Sequence, residues 1–168
     1  GMIGASVKAI HIDKQDRVWI GAYYEGVNIY DKNIMTFGFL DLGTRENSDL
    51  SFPNVTAIVQ DTPECVWAGC DGQGLFALKG NLTTMENHEF RHLPITLPGS
   101  RQPVTKIKAM AMDKSGNLWI GTWGDGLVVF NTKNNQSKSF RSIKPDADLG
   151  NEIISLYCDD ENNLWIGT

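Results

Sequence analysis

Three short turns, each beginning four residues after a tryptophan, hold the side chains best suited to recognising a ligand. They are Tyr23-Tyr24-Glu25, Asp71-Gly72-Gln73 and Trp123-Gly124-Asp125. Aromatic rings beside carboxylates and an amide suit a sugar, which offers one face for stacking and a rim of hydroxyls for hydrogen bonds. The candidate ligand-binding residues are therefore Tyr23, Tyr24, Glu25, Asp71, Gln73, Trp123 and Asp125. The same turns also read as plain surface turns, or as a contact with a neighbouring domain.

Nucleophilic, acid–base and metal chemistry find no comparable grouping. His11, His88 and His92 fall at dissimilar places in the repeats described below, and no Gly-x-Ser-x-Gly elbow or phosphate loop is present. Cys65 and Cys70 lie on one extended segment, about 16 Å apart at ~3.3 Å per residue, too far to bridge. Cys158 lies in another repeat, and no Cys-x-x-Cys or Cys/His ligand spacing exists. Unpaired, mostly buried thiols follow. No catalytic residue, metal or cofactor is expected.

These turns sit inside a repeat. In each copy an Asp precedes a Trp by six residues: Asp13/Trp19, Asp61/Trp67, Asp113/Trp119 and Asp159/Trp165. Each Trp is followed by Ile or Ala and then Gly21, Gly69, Gly121 or Gly167, and in the three complete copies a second glycine follows, Gly26, Gly74 or Gly126. The Trps are spaced 48, 52 and 46 residues apart. Such a period, with several short strands per unit, marks a repeat array or propeller.

Each unit reads as four strands. Strand A (7–12, 55–60, 107–112, 153–158) has a small third residue, Ala9, Ala57, Ala109 or Ser155, as crowded inner strands need. The A–B turn opens on the Asp, whose carboxylate can cap backbone N–H groups, and its fourth residue is Asp16, Glu64, Gly116 or Asn162, three of which tolerate positive φ. Strand B carries the Trp and is apolar on both faces, which suits a sheet sandwiched between two others. Strand C is apolar; strand D (36–40, 89–93, 138–143) is weakly patterned, as an outer edge would be. The long D–A loops (41–54, 94–103, 144–152) hold five of the six prolines. The expected fold is all-β: a partial β-propeller of three four-stranded antiparallel blades (about 5–41, 54–94 and 104–144) plus a half blade of strands A and B (152–168), one fragment spanning 1–168. In such a meander the B–C turns and D–A loops share one end of the blades, and the A–B and C–D turns the other.

The stretch 117–127, Asn-Leu-Trp-Ile-Gly-Thr-Trp-Gly-Asp-Gly-Leu, with Asp113 ahead and Phe140 behind, closely resembles the two-component regulator propeller repeat. Residues 163–168 resemble its first half. The copy at Trp19 departs at 22–25, and that at Trp67 at Ala68 and Cys70. The resemblance implies a periplasmic, extracytoplasmic sensor region of a Bacteroides-type hybrid two-component system, histidine kinase and response regulator in one protein. It further implies an oligosaccharide ligand, with the remaining blades of the parent propeller as partners. The alternatives are a streptogramin-lyase-like propeller enzyme, or a lectin or scaffold propeller without signalling.

Composition agrees with a globular chain: 168 residues, 41% hydrophobic, 17 glycines. A net charge of −5 without a Lys/Arg cluster argues against nucleic acid and anionic membrane as partners. Gly1-Met2 reads as a cloning remnant, and the chain stops inside the motif at Gly167-Thr168. A piece of a longer array is expected, and by itself a homo-oligomer. The contact expected from sequence is a two-fold dimer that pairs its 163–168 edges or stacks its apolar end faces.

Overall fold

The computed structural model describes residues 6–23, 26–31, 36–40, 54–81, 86–141 and 151–168. All regular structure among them is β. Blade 1 comprises β1 (Val7–Ile12), β2 (Val18–Ala22), β3 (Gly26–Asp31) and β4 (Thr36–Leu40). Blade 2 comprises β5 (Val55–Thr62), β6 (Cys65–Cys70), β7 (Gly74–Asn81) and β8 (Glu86–Leu93). Blade 3 comprises β9 (Ile107–Met112), β10 (Asn117–Thr122), β11 (Leu127–Asn131) and β12 (Ser137–Phe140). A hairpin of β13 (Ser155–Cys158) and β14 (Leu164–Gly167) forms the half blade. Every blade is an antiparallel meander paired in sequence order. β1 packs on β5, β5 on β9 and β9 on β13, so the A strands are innermost and carry Ala9, Ala57, Ala109 and Ser155 as expected.

The A–B turn is set by its aspartate. Asp13 Oδ1 accepts the N–H groups of Gln15 and Arg17, while Oδ2 accepts Arg17 Nε and the indole Nε1–H of Trp19, at 2.7–2.9 Å. Asp113 does the same with Ser115, Asn117 and Trp119, and Asp159 with Glu161, Asn163 and Trp165. The six-residue Asp/Trp spacing therefore places a carboxylate under an indole N–H. Asp16, Asn162 and Gly116 adopt positive φ (59°, 67° and 82°). Blade 2 departs: β5 runs on to Thr62 through a bulge, and Asp61 keeps only a 3.3 Å bond from Trp67.

The blades are joined at the glycine after each Trp. A Cβ on Gly21 would lie 2.8 Å from Val55 Cγ1, one on Gly69 2.6 Å from Ile107 Cγ2, and one on Gly121 2.7 Å from Ile153 Cγ2. Each glycine thus leaves room for the aliphatic residue that opens or just precedes the next inner strand. Around these joints lie two cores. Trp19, Val27, Ile29, Val55 and Ile58 belong to the first, between blades 1 and 2. Trp67, Leu75, Ile107, Met110, Leu118, Ile120 and Phe130 belong to the second, between blades 2 and 3. Trp19 and Trp67 are buried in these blade-to-blade cores, whereas Trp119 is half-buried and stacks on Phe140 of its own blade, and Trp165 is 63% exposed.

One loop is more than a connection. In the expected loop 94–103, Ile95 and Leu97 are buried and join Val104 in the second core. Thr96 bridges Pro103, and Val104 N–H donates to the Ile95 carbonyl. The alternating apolar residues 95 and 97 carried this signal, hidden among prolines. The other D–A loops lie largely outside the described residues. The three thiols are free; burial pushes Cys65 up to about 11 and Cys70 to about 12, so neither is a ready nucleophile.

Candidate functional site

The B–C turns are fixed by main-chain hydrogen bonds before any side chain is considered. The first residue of each turn donates its N–H to the residue just ahead of its own blade's inner strand: Tyr23 to Ser6, Asp71 to Asn54 and Trp123 to Lys106. The glycines that follow donate to the carbonyl two residues ahead of Ile107 or Ile153 in the next blade. Gly72 and Gly74 bond Thr105, and Gly124 and Gly126 bond Asn151. Gly74 and Gly126 take positive φ (79° and 74°) within van der Waals reach of the Val104 and Phe140 carbonyl oxygens, where a side chain would not fit. The turns therefore lie at the end where chain enters the A strands, as the meander requires. The opposite end is tied by A–B turns: Lys14 N–H donates to Gln60, and Lys114 N–H to Asn162.

Side chains at the turn-bearing end form one cluster and one pair. Lys108 Nζ lies 2.5 Å from Asp71 Oδ2 and 5.4 Å from the centroid of the Trp123 ring. Lys108 and Asp71 are each about a quarter exposed (28% and 26%), and Trp123 is 44% exposed. The cluster thus spans the junction of blades 2 and 3. In blade 1, Lys8 Nζ stands 5.0 Å over the ring of Tyr23, itself 40% exposed. An ammonium over an aromatic face holds the ring in place at a gain of roughly 0.5–1 kcal/mol at exposed sites.

Of the candidate residues, Asp71 and Trp123 are therefore brought together through Lys108, and Tyr23 holds the same place in blade 1. Gln73 and Asp125 lie on the outward limb of their turns. The Gln73 carbonyl pairs with His92 Nε2 at 2.8 Å on β8, and the Asp125 carbonyl accepts Ser139 Oγ on β12. Tyr24 and Glu25 lie outside the described residues. His92 is exposed, and its ring lies against Phe76 with centroids 4.8 Å apart and the planes tilted by 33°. His11 is partly buried, and burial lowers its pKa despite the nearby Asp13 carboxylate.

Lys8 and Lys108, which lie against the candidate residues Tyr23, Asp71 and Trp123, are what sequence reasoning missed. Both are the second residue of an A strand, a position that blade 2 fills with Thr56, whose hydroxyl bonds the Gly69 and Ile107 carbonyls instead. Lysine recurring at one strand position, beside a turn with an aromatic, was the available signal. A groove of about 430 Å³ also lies along the outer edge between blades 2 and 3, lined by Arg91, His92, Ile95, Phe130, Asn135 and Ser137 among others. Among the described residues no three His, Cys, Asp or Glu side chains are grouped as metal ligands would be.

With this architecture in place, the class of protein is a propeller array with an open run of blades. Residues 102–124 and 149–168 match the two-component regulator propeller family. The fold is shared with extracellular domains of two-component systems from Bacteroides thetaiotaomicron. One, described as the extracellular domain of the hybrid two-component system BT4673, has a TM-score of 0.73 and 23% identity over 100% of this chain and 21% of that one. Another, from BT3049, has a TM-score of 0.76 and 19% identity over 99% of this chain and 21% of that one. Virginiamycin B lyase from Staphylococcus aureus gives 0.68 at 12% identity, over 96% of this chain and 48% of the lyase. At these identities the likeness is one of fold. The chain spans about a fifth (21%) of the length of these two extracellular domains. No match was found among curated proteins.

Proposed function

We propose that the chain is a segment of the periplasmic sensor region of a hybrid two-component regulator. In this reading it has no catalytic role of its own. Its turn-bearing end contributes to binding an oligosaccharide, and occupancy is signalled to a histidine kinase in the parent protein. The observation that carries the ligand reading is the junction of blades 2 and 3. There a half-exposed Trp123 ring lies beside the Lys108–Asp71 ion pair, so a stacking face and charged hydrogen-bonding groups meet on one surface. The class of signalling protein rests on the family of the repeats and on the extracellular two-component domains that share the fold.

Calorimetric titration of the sensor ectodomain containing this segment with a panel of oligosaccharides tests the reading. For a sugar that binds, Trp123→Ala and Asp71→Asn each weaken affinity about tenfold, equivalent to ~1.4 kcal/mol. Tyr23→Ala has a smaller effect. Unchanged affinity in both of the first two variants would remove the site.

A further inference from the structure

Blades 2 and 3 meet through apolar side chains along their three inner strands, which supply the second core. Their outer strands meet differently. Directly opposed residues of an antiparallel pair share a face. Trp67, Ala77 and Arg91 oppose one another in turn across β6, β7 and β8, so Arg91 points toward blade 3 as Trp67 does. His92 points the other way, with its ring against Phe76. On blade 3, Leu118, Phe130 and Ser137 oppose one another across β10, β11 and β12 and point back toward blade 2.

The groove of about 430 Å³ lies between these outer strands. Arg91 stands on its blade 2 wall, Asn135 and Ser137 on its blade 3 wall, and the buried Ile95 and Phe130 form its floor. Both walls belong to complete four-stranded blades. We propose that this groove binds a small monocarboxylate with a hydroxylated body, a sugar acid. Its carboxylate sits on the Arg91 guanidinium and its hydroxyls on Asn135 and Ser137. The site is separate from the turn-bearing cluster, whose Lys108 is on the inner strand β9, and does not depend on it.

Size, charge and available hydrogen bonds select this ligand. The volume falls within the roughly 300–1,000 Å³ of small-molecule sites, and an apolar floor under a few polar groups is their usual composition. Arg91 is the charged side chain that lines the groove. Two residues before it on the same face, Glu89 opposes Lys79, so the described part of this wall carries one uncompensated positive charge. That charge matches a monoanion better than a phosphate dianion, and a planar guanidinium fork matches the two oxygens of a carboxylate. Among the described residues the Arg91 guanidinium and the Asn135 side-chain amide have no partner. Ser137 Oγ reaches the Thr96 carbonyl only at 3.5 Å, the outer limit of a hydrogen bond, so its hydroxyl is available to a ligand. The walls are already formed. Asn135, at a φ of 58°, donates its N–H to the Asn131 carbonyl at 2.9 Å, and Val104 N–H ties the 95–104 hairpin to Ile95. Little ordering is left for a ligand to induce.

Amide-resolved NMR titration of the chain with galacturonate and, in parallel, with galactose tests the proposal. Galacturonate should shift the amides of residues 91–96 and 130–137 and bind at least about tenfold more tightly than galactose, as charge-assisted hydrogen bonds imply. Arg91→Gln should erase that preference, and Arg91 is exposed on an outer strand, so the blades should keep their fold. Ser137→Ala should weaken galacturonate about threefold. No shift with galacturonate, equal binding of galactose, or a preference that survives Arg91→Gln would each overturn the site. Shifts centred on Asp71, Lys108 and Trp123 would overturn it too, while leaving the turn-bearing site in place.

Discussion

The turn of blade 1 and the turn of the terminal hairpin are built alike and end in opposite surroundings. In both, an aspartate caps two backbone N–H groups with one oxygen and holds the indole N–H of a tryptophan six residues on with the other, at the same 2.8 Å. Yet Trp19 is fully buried and Trp165 is 63% exposed, although their local bonds match. The difference is the neighbouring blade: Trp19 is covered by Val55 and Ile58 of blade 2, while the hairpin is the last element described. The hydrogen-bond cage is therefore a local property of the sequence, complete without a neighbour. Burial, and most of the stabilisation, comes from the adjoining blade. The second difference lies beside the tryptophan. Arg17 Nη2 is 2.6 Å from Asp13 Oδ2 in a buried ion pair, where the hairpin has the neutral Asn163.

Truncating the two tryptophans should separate cage from neighbour most sharply. Trp19→Ala removes a fully buried ring and should cost about 3–5 kcal/mol in urea unfolding. Trp165→Ala should cost less than about 1 kcal/mol, as surface substitutions do. Comparable losses would mean that the cage, not the blade contact, stabilises the fold. The aspartates give the next contrast. Asp13→Ala leaves the Arg17 guanidinium buried without its counter-charge, at roughly 3–5 kcal/mol. Asp159→Ala in the exposed hairpin should leave the urea midpoint of the blades unchanged, and an equal drop in both would deny the ion pair its role.

Acid should reveal the same contrast more gently. Burial alone would raise the Asp13 and Asp113 pKa values. Hydrogen bonds from the indoles, backbone N–H groups and residues 17 and 117 outweigh it and hold both below the ordinary 3.8. Asp159 falls to about 2, chiefly through the Trp165 indole N–H. Carboxylates lowered on folding add stability above their unfolded pKa and lose it as pH falls through the folded value. His11, lowered below its ordinary 6.5 by burial, acts in the same direction: its contribution is present above 6.5 and fades as pH drops toward the folded value. Urea midpoints should thus decline in two steps, one below about pH 6.5 and one below about pH 4. His11→Gln should flatten the upper step alone. An unaltered upper step would assign it to another group.

Much of this was legible in the sequence because each repeat states it again. The Asp/Trp spacing, the small residues at 9, 57, 109 and 155, and the positive-φ positions 16, 116 and 162 follow from local chemistry recurring at one phase. Strand ends were less legible. β5 extends to Thr62 and β8 starts at Glu86, because cross-strand pairing and a bulge, not local propensity, decide where a ladder stops. The partner of each Trp-x-Gly glycine was not legible either. Nothing in Gly69 names Ile107, which lies 38 residues on and reaches it only when two blades pack. The site was half legible: turn residues 23, 71 and 123 stood out, while Lys8 and Lys108 approach them from a different strand.

The central claim is that the repeat's glycine is an inter-blade socket, and a double-mutant cycle on Gly69 and Ile107 tests it most directly. Gly69→Ala places a Cβ 2.6 Å from Ile107 Cγ2 and should cost about 1–3 kcal/mol by overpacking. Ile107→Ala, which empties a fully buried position, should cost about 2–5 kcal/mol. If the glycine exists to admit that side chain, the double variant should be more stable than the sum predicts by about 1 kcal/mol or more. Strictly additive losses would show that Gly69 and Ile107 act separately, and would contradict the joint.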